Sequence, residues 1–200
     1  DPDIFQEVPM DWEGFVKECK NCTRCGLSNN RQNVVIGRGV PKPCPVLFVG
    51  EGPGEQEDIQ GEAFVGRAGK LLDILLTALD FNPEHYYIAN VVKCRPPDNR
   101  IPTWEEMEAC LPWLRYQVKF IKPFIIVCLG ATAAKAIIDR DAKITQIRGQ
   151  WVEKGGFLMF PTYHPAAVLR DIRKREDFYL DMKNVKEKLE SISGQVHKNT

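Results

Sequence analysis

Val46-Leu-Phe-Val-Gly50-Glu51-Gly52-Pro53-Gly54-Glu55-Gln56-Glu57-Asp58 runs from an apolar, β-forming segment straight into glycines and a proline, with carboxylates close behind. An unbroken apolar run of this kind reads as a strand buried on both faces. Gly50-Glu-Gly-Pro-Gly54 reads as the tight turn at its C-terminal end, where open α/β sheets place their ligands. Two phosphate-binding loops are excluded. A dinucleotide fingerprint starting at Gly50 needs glycine at position 55, where Glu55 stands, and Gly69-Lys70 is followed by Leu71 rather than Ser or Thr. Glu51, Glu55, Glu57 and Asp58 would also repel phosphate. The turn is expected to present carboxylates for acid–base or polar recognition work.

Working outward, three more apolar runs repeat the pattern. Tyr86–Val92, Phe124–Leu129 and Phe157–Pro161 read as buried strands, and Asn33–Ile36 as a possible short one. Between them lie helical periods. Leu71, Leu72, Leu75, Leu76 and Leu79 share one face of a helix over 67–80, and Gly130–Asp139 is an alanine-rich helix. Thr103 with Glu106 is a capping box opening another helix, which Pro112 is expected to end, kink or restart near Cys110. A first helix starts at Asp11 and a last one covers roughly 177–191. Strands alternating with helices predict an α/β domain, a three-layer α/β/α sandwich around a mainly parallel sheet of about four strands. In such a sheet the strand ends gather at one edge, which brings Glu51, Asn90 and His164 together.

The 200 residues are enough for one domain, expected over 11–192 between an N-terminal arm (1–10) and a flexible tail (193–200). Lys plus Arg balances Asp plus Glu at 27 each, so bulk charge points to no polyanion, although a local basic patch is compatible with it. No run is long and apolar enough to span a membrane, and the first residues lack the basic and apolar regions expected of a secretory leader. The protein is expected in the cytoplasm of a prokaryotic cell, as a monomer.

Seven cysteines in a chain expected in the cytoplasm favour metal or thiol chemistry over disulfides. Cys19, Cys22 and Cys25 form C-x-x-C-x-x-C, and Cys94 and Cys110 bracket Arg95-Pro-Pro-Asp-Asn-Arg100. Cys128 lies within an apolar run and reads as core; Cys44, between prolines, reads as a loop thiol. Two of the N-terminal trio with Cys94 and Cys110 make a four-cysteine site, for which zinc and an iron–sulfur cluster both remain open.

Gly50-Glu-Gly-Pro-Gly-Glu-Gln-Glu-Asp58, Phe64-Val-Gly-Arg-Ala-Gly69, Asn90-Val-Val-Lys-Cys-Arg-Pro-Pro97 and His164-Pro-Ala-Ala-Val-Leu-Arg170 resemble, in order, the motifs of the family 4, iron–sulfur uracil-DNA glycosylases. The resemblance covers the chain from about Cys22 to Arg170. It implies a uracil-DNA glycosylase fold and an enzyme that flips uracil out of single- or double-stranded DNA, hydrolyses its N-glycosidic bond and leaves an abasic site for base excision repair. It implies a [4Fe–4S] cluster on Cys22, Cys25, Cys94 and Cys110, with Cys19 an extra thiol. Glu51 would orient or activate water and stabilise the cationic sugar, and His164 would hydrogen-bond uracil O2. Asn90 would read the uracil edge, Phe64 would stack on the base, Gly52 would admit the base close to the backbone, and Glu57 would line the pocket wall. Val168-Leu169-Arg170 would form an apolar-tipped loop that fills the gap left by the flipped base. Arg170, Arg173, Lys174 and Arg175, with Lys93 and Arg95, would supply the basic face. A sliding-clamp partner has no motif in the sequence. The alternative is a non-catalytic iron–sulfur module that binds or assembles on nucleic acid with the same fold; an intact set of Glu51, Asn90, Phe64 and His164 argues against it.

Overall fold

The apolar runs form the centre of the computed structural model, which describes residues 11–198, with side chains as far as 194. The expected N-terminal arm lies outside the described residues. In chain order the elements are α1 (Trp12–Lys20), β1 (Val46–Gly50), α2 (Glu55–Gln60), α3 (Arg67–Ala78), β2 (Tyr86–Asn90) and α4 (Trp104–Ile121), followed by β3 (Ile125–Leu129) and α5 (Ala131–Ile137). Then come α6 (Ile144–Ile147), β4 (Val152–Lys154), β5 (Phe157–Thr162), α7 (Pro165–Arg170) and α8 (Arg175–Lys198).

The sheet has five strands in the order β2-β1-β3-β5-β4, all parallel except the last. Alternate residues of β1 point to opposite faces. Leu47 and Val49 join Phe15, Trp113, Leu114 and Ala133 from α1, α4 and α5, while Val46 and Phe48 join Leu72, Leu76, Phe178 and Met182 from α3 and α8. Both faces are therefore covered, which explains why the parallel strands read as continuous apolar runs. Among the described residues no helix is long and apolar enough to cross a membrane.

The fifth strand corrects the expected four. Val152-Glu-Lys154 is a half-exposed edge strand paired antiparallel with β5 through the Gly155-Gly156 turn, both glycines at positive φ. Its one sequence signal was that turn. The possible strand at Asn33–Ile36 is absent. Instead Arg38 makes an isolated bridge to Ile88 beside the outer edge of β2, with Gly37 and Gly39 packed so closely on Tyr87 that a Cβ at either would overlap its ring. Pro112 neither ends nor restarts α4, which runs as one helix with Pro112, Trp113 and Leu114 all buried. A proline removes a single N–H from the ladder, and burial of the turns on both sides holds the helix together. Cys44, expected as a loop thiol, is buried at 6% exposure.

The C-terminal end of β5 is fastened by an ion pair whose carboxylate is buried and whose guanidinium is 24% exposed. Asp181 of α8, 4% exposed, accepts from Arg148 Nε and Nη2 at 2.9 and 2.6 Å and from Thr162 Oγ1 at 2.8 Å. Removing one partner of such a pair strands the other charge. Asp181→Ala is expected to lower unfolding free energy by about 3 kcal/mol, measured by denaturant titration; a loss below about 1 kcal/mol, the range of surface pairs, rejects this account.

Candidate active site

The sheet order reverses between β1 and β3, since the chain leaves β1 toward β2 on one side and leaves β3 toward β5 on the other. The crevice at that switch point, beyond the strand C-termini, is where such sheets bind ligands. Glu51 follows β1 and Thr132 opens α5 after β3. The Thr132 hydroxyl donates to Glu51 Oε2, so one hydrogen bond spans the crevice. Thr132 was not singled out by its sequence context; its only signal is its place just after Gly130 at a strand end.

Gly50 pairs with Asn90 in the parallel register. A Cβ on Gly50 would lie 2.6 Å from Asn90 Oδ1 and 2.6 Å from Phe64 Cζ. The missing side chain thus lets an amide and an aromatic ring close on the same place. Asn90 is 2% exposed, and its Oδ1 is a buried acceptor with no partner among the described residues. Such an oxygen costs about 1–3 kcal/mol in a native structure and calls for an explanation.

Phe64 has φ +55°, a left-handed conformation that aromatic residues seldom adopt. Several contacts impose it. Arg38 donates to the Ala63 and Phe64 carbonyls while pairing with Asp73 at 2.7 Å. Glu57 accepts from the N–H groups of Gly54, Val65 and Gly66. Gly69 admits the loop, since a Cβ there would stand 1.8 Å from Phe64 O. The ring lies 5.6 Å from that of His164, near parallel at 24°.

His164 caps α7, with Nδ1 accepting from Ala166 N–H at 3.0 Å and Pro165 at the first helical position. A neutral ring whose Nδ1 accepts carries its proton on Nε2. Burial, with the Arg170 cation adding to it, lowers the His164 pKa from 6.5 to about 4. The imidazole is therefore a neutral donor at neutral pH.

Other expected site residues sit elsewhere. The Glu57 carboxylate is occupied by backbone N–H groups of the Phe64 loop. Asp58, 2% exposed, holds the Gln32 and Asn33 N–H groups. Of the four acids beside the turn, Glu51 is the one bonded across the crevice. Gly52 packs on Val92, whose Cγ2 would be 2.7 Å from a Cβ there. The loop expected at Val168-Leu169-Arg170 is instead the C-terminal part of helix α7, which buries Val168 at 5% in the core and leaves Leu169 43% exposed. Arg170 and Arg173 are exposed, the latter paired with Asp171. Lys93, expected on the basic face, is 1% exposed and so is no phosphate contact; it donates from Nζ to Asn90 O and Gln117 Oε1.

Cys22, Cys25, Cys94 and Cys110 line one small cavity with Cys19, Arg31 and Trp113. N–H donors approach three of the sulfurs: Trp113 Nε1 on Cys22 at 3.3 Å, Arg31 Nη1 on Cys94 at 3.5 Å and Lys93 N on Cys110 at 3.3 Å. Burial pushes the Cys110 thiol up to about 12 and raises Cys94 and Cys25 as well. Among the described residues no three ligating side chains converge closely enough to hold a single ion.

The model of the uracil DNA glycosylase superfamily matches residues 36–189. The chain belongs to that superfamily. It is 49% identical over 154 residues to a type-4 uracil-DNA glycosylase of Thermotoga maritima, covering 76% of this chain and 80% of that one. It is 42% identical over 183 residues to a type-4 enzyme of Archaeoglobus fulgidus, covering 88% and 92%. A Sulfurisphaera tokodaii relative with the same type-4 name is 42% identical over 184 residues, covering 88% and 83%. The superfamily match takes in β1, β2, β3 and β5, and with them every element that bounds the crevice.

The histidine generates a test by pH. Between pH 6.5 and about 4 the unfolded chain holds a proton on this ring that the folded chain does not. Its contribution to stability is complete above pH 6.5 and is lost as the pH falls toward 4. The His164 ring, followed by NMR, should stay neutral on acidification until close to pH 4; protonation centred at 6.5 or above rules out a neutral donor.

Proposed function

We propose that this chain is a monofunctional uracil-DNA glycosylase of base excision repair, which hydrolyses the N-glycosidic bond of deoxyuridine in DNA and leaves the backbone uncut. The observation that carries the reading is the partnerless, buried Asn90 Oδ1 beside the Phe64 ring and the bare Gly50. An amide accepts with its oxygen and donates with its nitrogen, which matches uracil N3–H and O4; cytosine presents an unprotonated N3 and an amino group instead. A base reaches such a site only outside the stack, with Phe64 offering it a stacking face.

Cleavage builds negative charge on the departing uracil and positive charge on the sugar. His164 Nε2–H is the donor for uracil O2, and a preorganised donor of this kind stabilises the charge that develops in the transition state. Glu51, fixed by the Thr132 hydroxyl, orients the attacking water and faces the cationic sugar. Leu169 is the apolar tip that fills the gap in the duplex, in the manner of other inserted wedges. Arg170, with Arg173, Lys174 and Arg175, meets phosphates. Val168 anchors the end of α7 in the core, and Glu57 holds Phe64 in place.

Cys22, Cys25, Cys94 and Cys110 are the residues that would hold a [4Fe–4S] cluster. Four thiols around one cavity with N–H groups on their sulfurs suit a cluster, in which each iron takes one thiolate. A single zinc instead needs all four sulfurs within about 2.3 Å of one point. When bound, the cluster ties the segment after α1 to the loop after β2 and to α4, and supplies no step of the hydrolysis. Anaerobically prepared protein is expected to be brown with about four irons per chain; colourless protein with one zinc overturns the assignment. Cys22→Ala should lose iron and solubility, and Cys19→Ala should keep both.

The activity itself is tested by incubating a labelled single-uracil oligonucleotide with the protein and then alkali, which breaks the strand only at an abasic site. One break at the uracil position is expected, and none without alkali. Glu51→Ala and His164→Ala should each slow single-turnover release at saturating enzyme by roughly 100- to 1000-fold, the effect of losing one preorganised electrostatic group, a carboxylate in the first case and an N–H donor in the second, with little change in DNA affinity. Arg170→Ala should weaken binding, flatten its salt dependence and leave the saturated rate near normal. If His164→Ala loses affinity alone, the imidazole is a DNA contact.

A further inference from the structure

The peptide unit between Asn90 and Val91 is held at both ends. Its N–H donates to Gly50 O at 2.9 Å, and its carbonyl accepts from Lys93 Nζ at 2.6 Å. The same ammonium donates to Gln117 Oε1 at 2.6 Å. Gln117, 0% exposed on α4, donates in turn from Nε2 to Ile36 O at 2.8 Å. The lysine backbone is also fastened, with its N–H on Cys110 Sγ at 3.3 Å and its carbonyl on Val35 N–H at 2.8 Å. A buried ammonium is a costly way to link a carbonyl to an amide, since desolvating an ion costs several kcal/mol. Its benefit is a short, charge-assisted bond to the main chain of Asn90.

We propose that Lys93, oriented by Gln117, is a positioning residue for base reading: it fixes the 90–91 peptide plane so that the Asn90 amide stays aimed across Gly50. The inference rests on the assignment of Asn90 as the base reader. The side chain of Asn90 hangs from this backbone frame, and an error of about 1 Å in a positioned group can cost about a hundredfold in rate. The segment after β2 then has two tasks. Cys94 belongs to the cysteine cavity, while Lys93 reaches back into the site that the cavity supports.

The experiment compares Lys93→Met, Gln117→Met, Gln117→Glu and Asn90→Asp with the wild type. Each is checked for folding by circular dichroism, thermal midpoint and iron content. Lys93→Met should lower the saturated single-turnover rate at least tenfold and weaken inhibition by free uracil by a similar factor. Binding to DNA with an abasic-site analogue should not change. Gln117→Met should act in the same direction more weakly. Gln117→Glu keeps an oxygen for the ammonium and should restore rate and uracil inhibition, although it also loses the bond to Ile36. A purely structural lysine predicts lower thermal midpoints with rate and uracil inhibition intact, and predicts equal damage from both Gln117 changes; either result overturns the inference. If Lys93→Met does not fold, the contrast between the two Gln117 variants decides. Asn90→Asp separates the two levels. Wild-type uracil cleavage and inhibition in that variant sink the base-reading assignment, whereas loss there beside normal Lys93→Met and Gln117→Met sinks only the role of the lysine.

Discussion

At the end of β1 a side chain is forbidden. The Gly50 Cα faces Asn90 Oδ1 from one side and the edge of the Phe64 ring from another, each where a Cβ would stand about 2.6 Å away. This contact depends on the parallel register that sets Gly50 opposite Asn90. It depends equally on the left-handed backbone of Phe64, which Arg38, Glu57 and Gly69 together enforce. Strain of this sort, on the order of 1–3 kcal/mol, persists only when the surroundings over-determine it. Here they do. A guanidinium holds the carbonyl side, a carboxylate holds the amide side, and a glycine leaves room for the turn to pass.

The strand and helix layout was legible because both faces of the sheet are covered, so the four parallel strands carry unbroken apolar runs. The edge strand Val152–Lys154 was not, because half-exposed Val-Glu-Lys has neither an apolar run nor a buried alternation. Convergence of Glu51, Asn90 and His164 followed from topology alone, since parallel strands deliver their C-termini to one edge. What each side chain does there was harder to read. Glu51, Glu57 and Asp58 look alike in sequence, yet two of them serve backbone N–H groups, and only the paths of the neighbouring loops decide which. Lys93 illustrates the same limit. A lysine beside Cys94 and Arg95 reads as part of a basic surface, and its burial is set by Gln117, twenty-four positions away on α4. Val168 and Leu169 are adjacent, but the rotation of about 100° between consecutive residues of α7 sends the first into the core and leaves the second half in solvent.

Zero net charge in a DNA enzyme stops being a puzzle once the ions are located. Arg38, Arg100 and Arg148 are paired within the fold with Asp73, Glu106 and Asp181, and Lys93 is buried. Each paired arginine is offset by its own carboxylate, so these cations add little to the field outside. Arg170, Lys174 and Arg175, with Arg173 paired to Asp171, are concentrated on the segment that follows His164. In the proposed function a phosphate backbone responds to that local concentration, and bulk composition averages it away.

The electrostatics of the crevice favour a division between neutral and charged groups. Uracil is neutral when it enters and anionic when it leaves, so a site that bound it with a full positive charge would gain strongly only as the bond breaks, but would have to keep that charge desolvated beforehand. His164 avoids this cost. Burial and the Arg170 cation hold the ring neutral, and the Ala166 N–H on Nδ1 commits its remaining proton to Nε2. The N–H dipole is then in place before charge appears and needs no reorganisation when it does. In the same proposal Asn90 reads the base with a neutral amide. The one formal charge bonded across the crevice, on Glu51, lies between β1 and α5, on the side assigned to the sugar. Its attraction grows with the cationic character of that sugar and is small in the ground state. In the proposed reading His164 and Glu51 therefore bind the transition state more tightly than the substrate, which is the condition for raising the rate rather than merely the affinity.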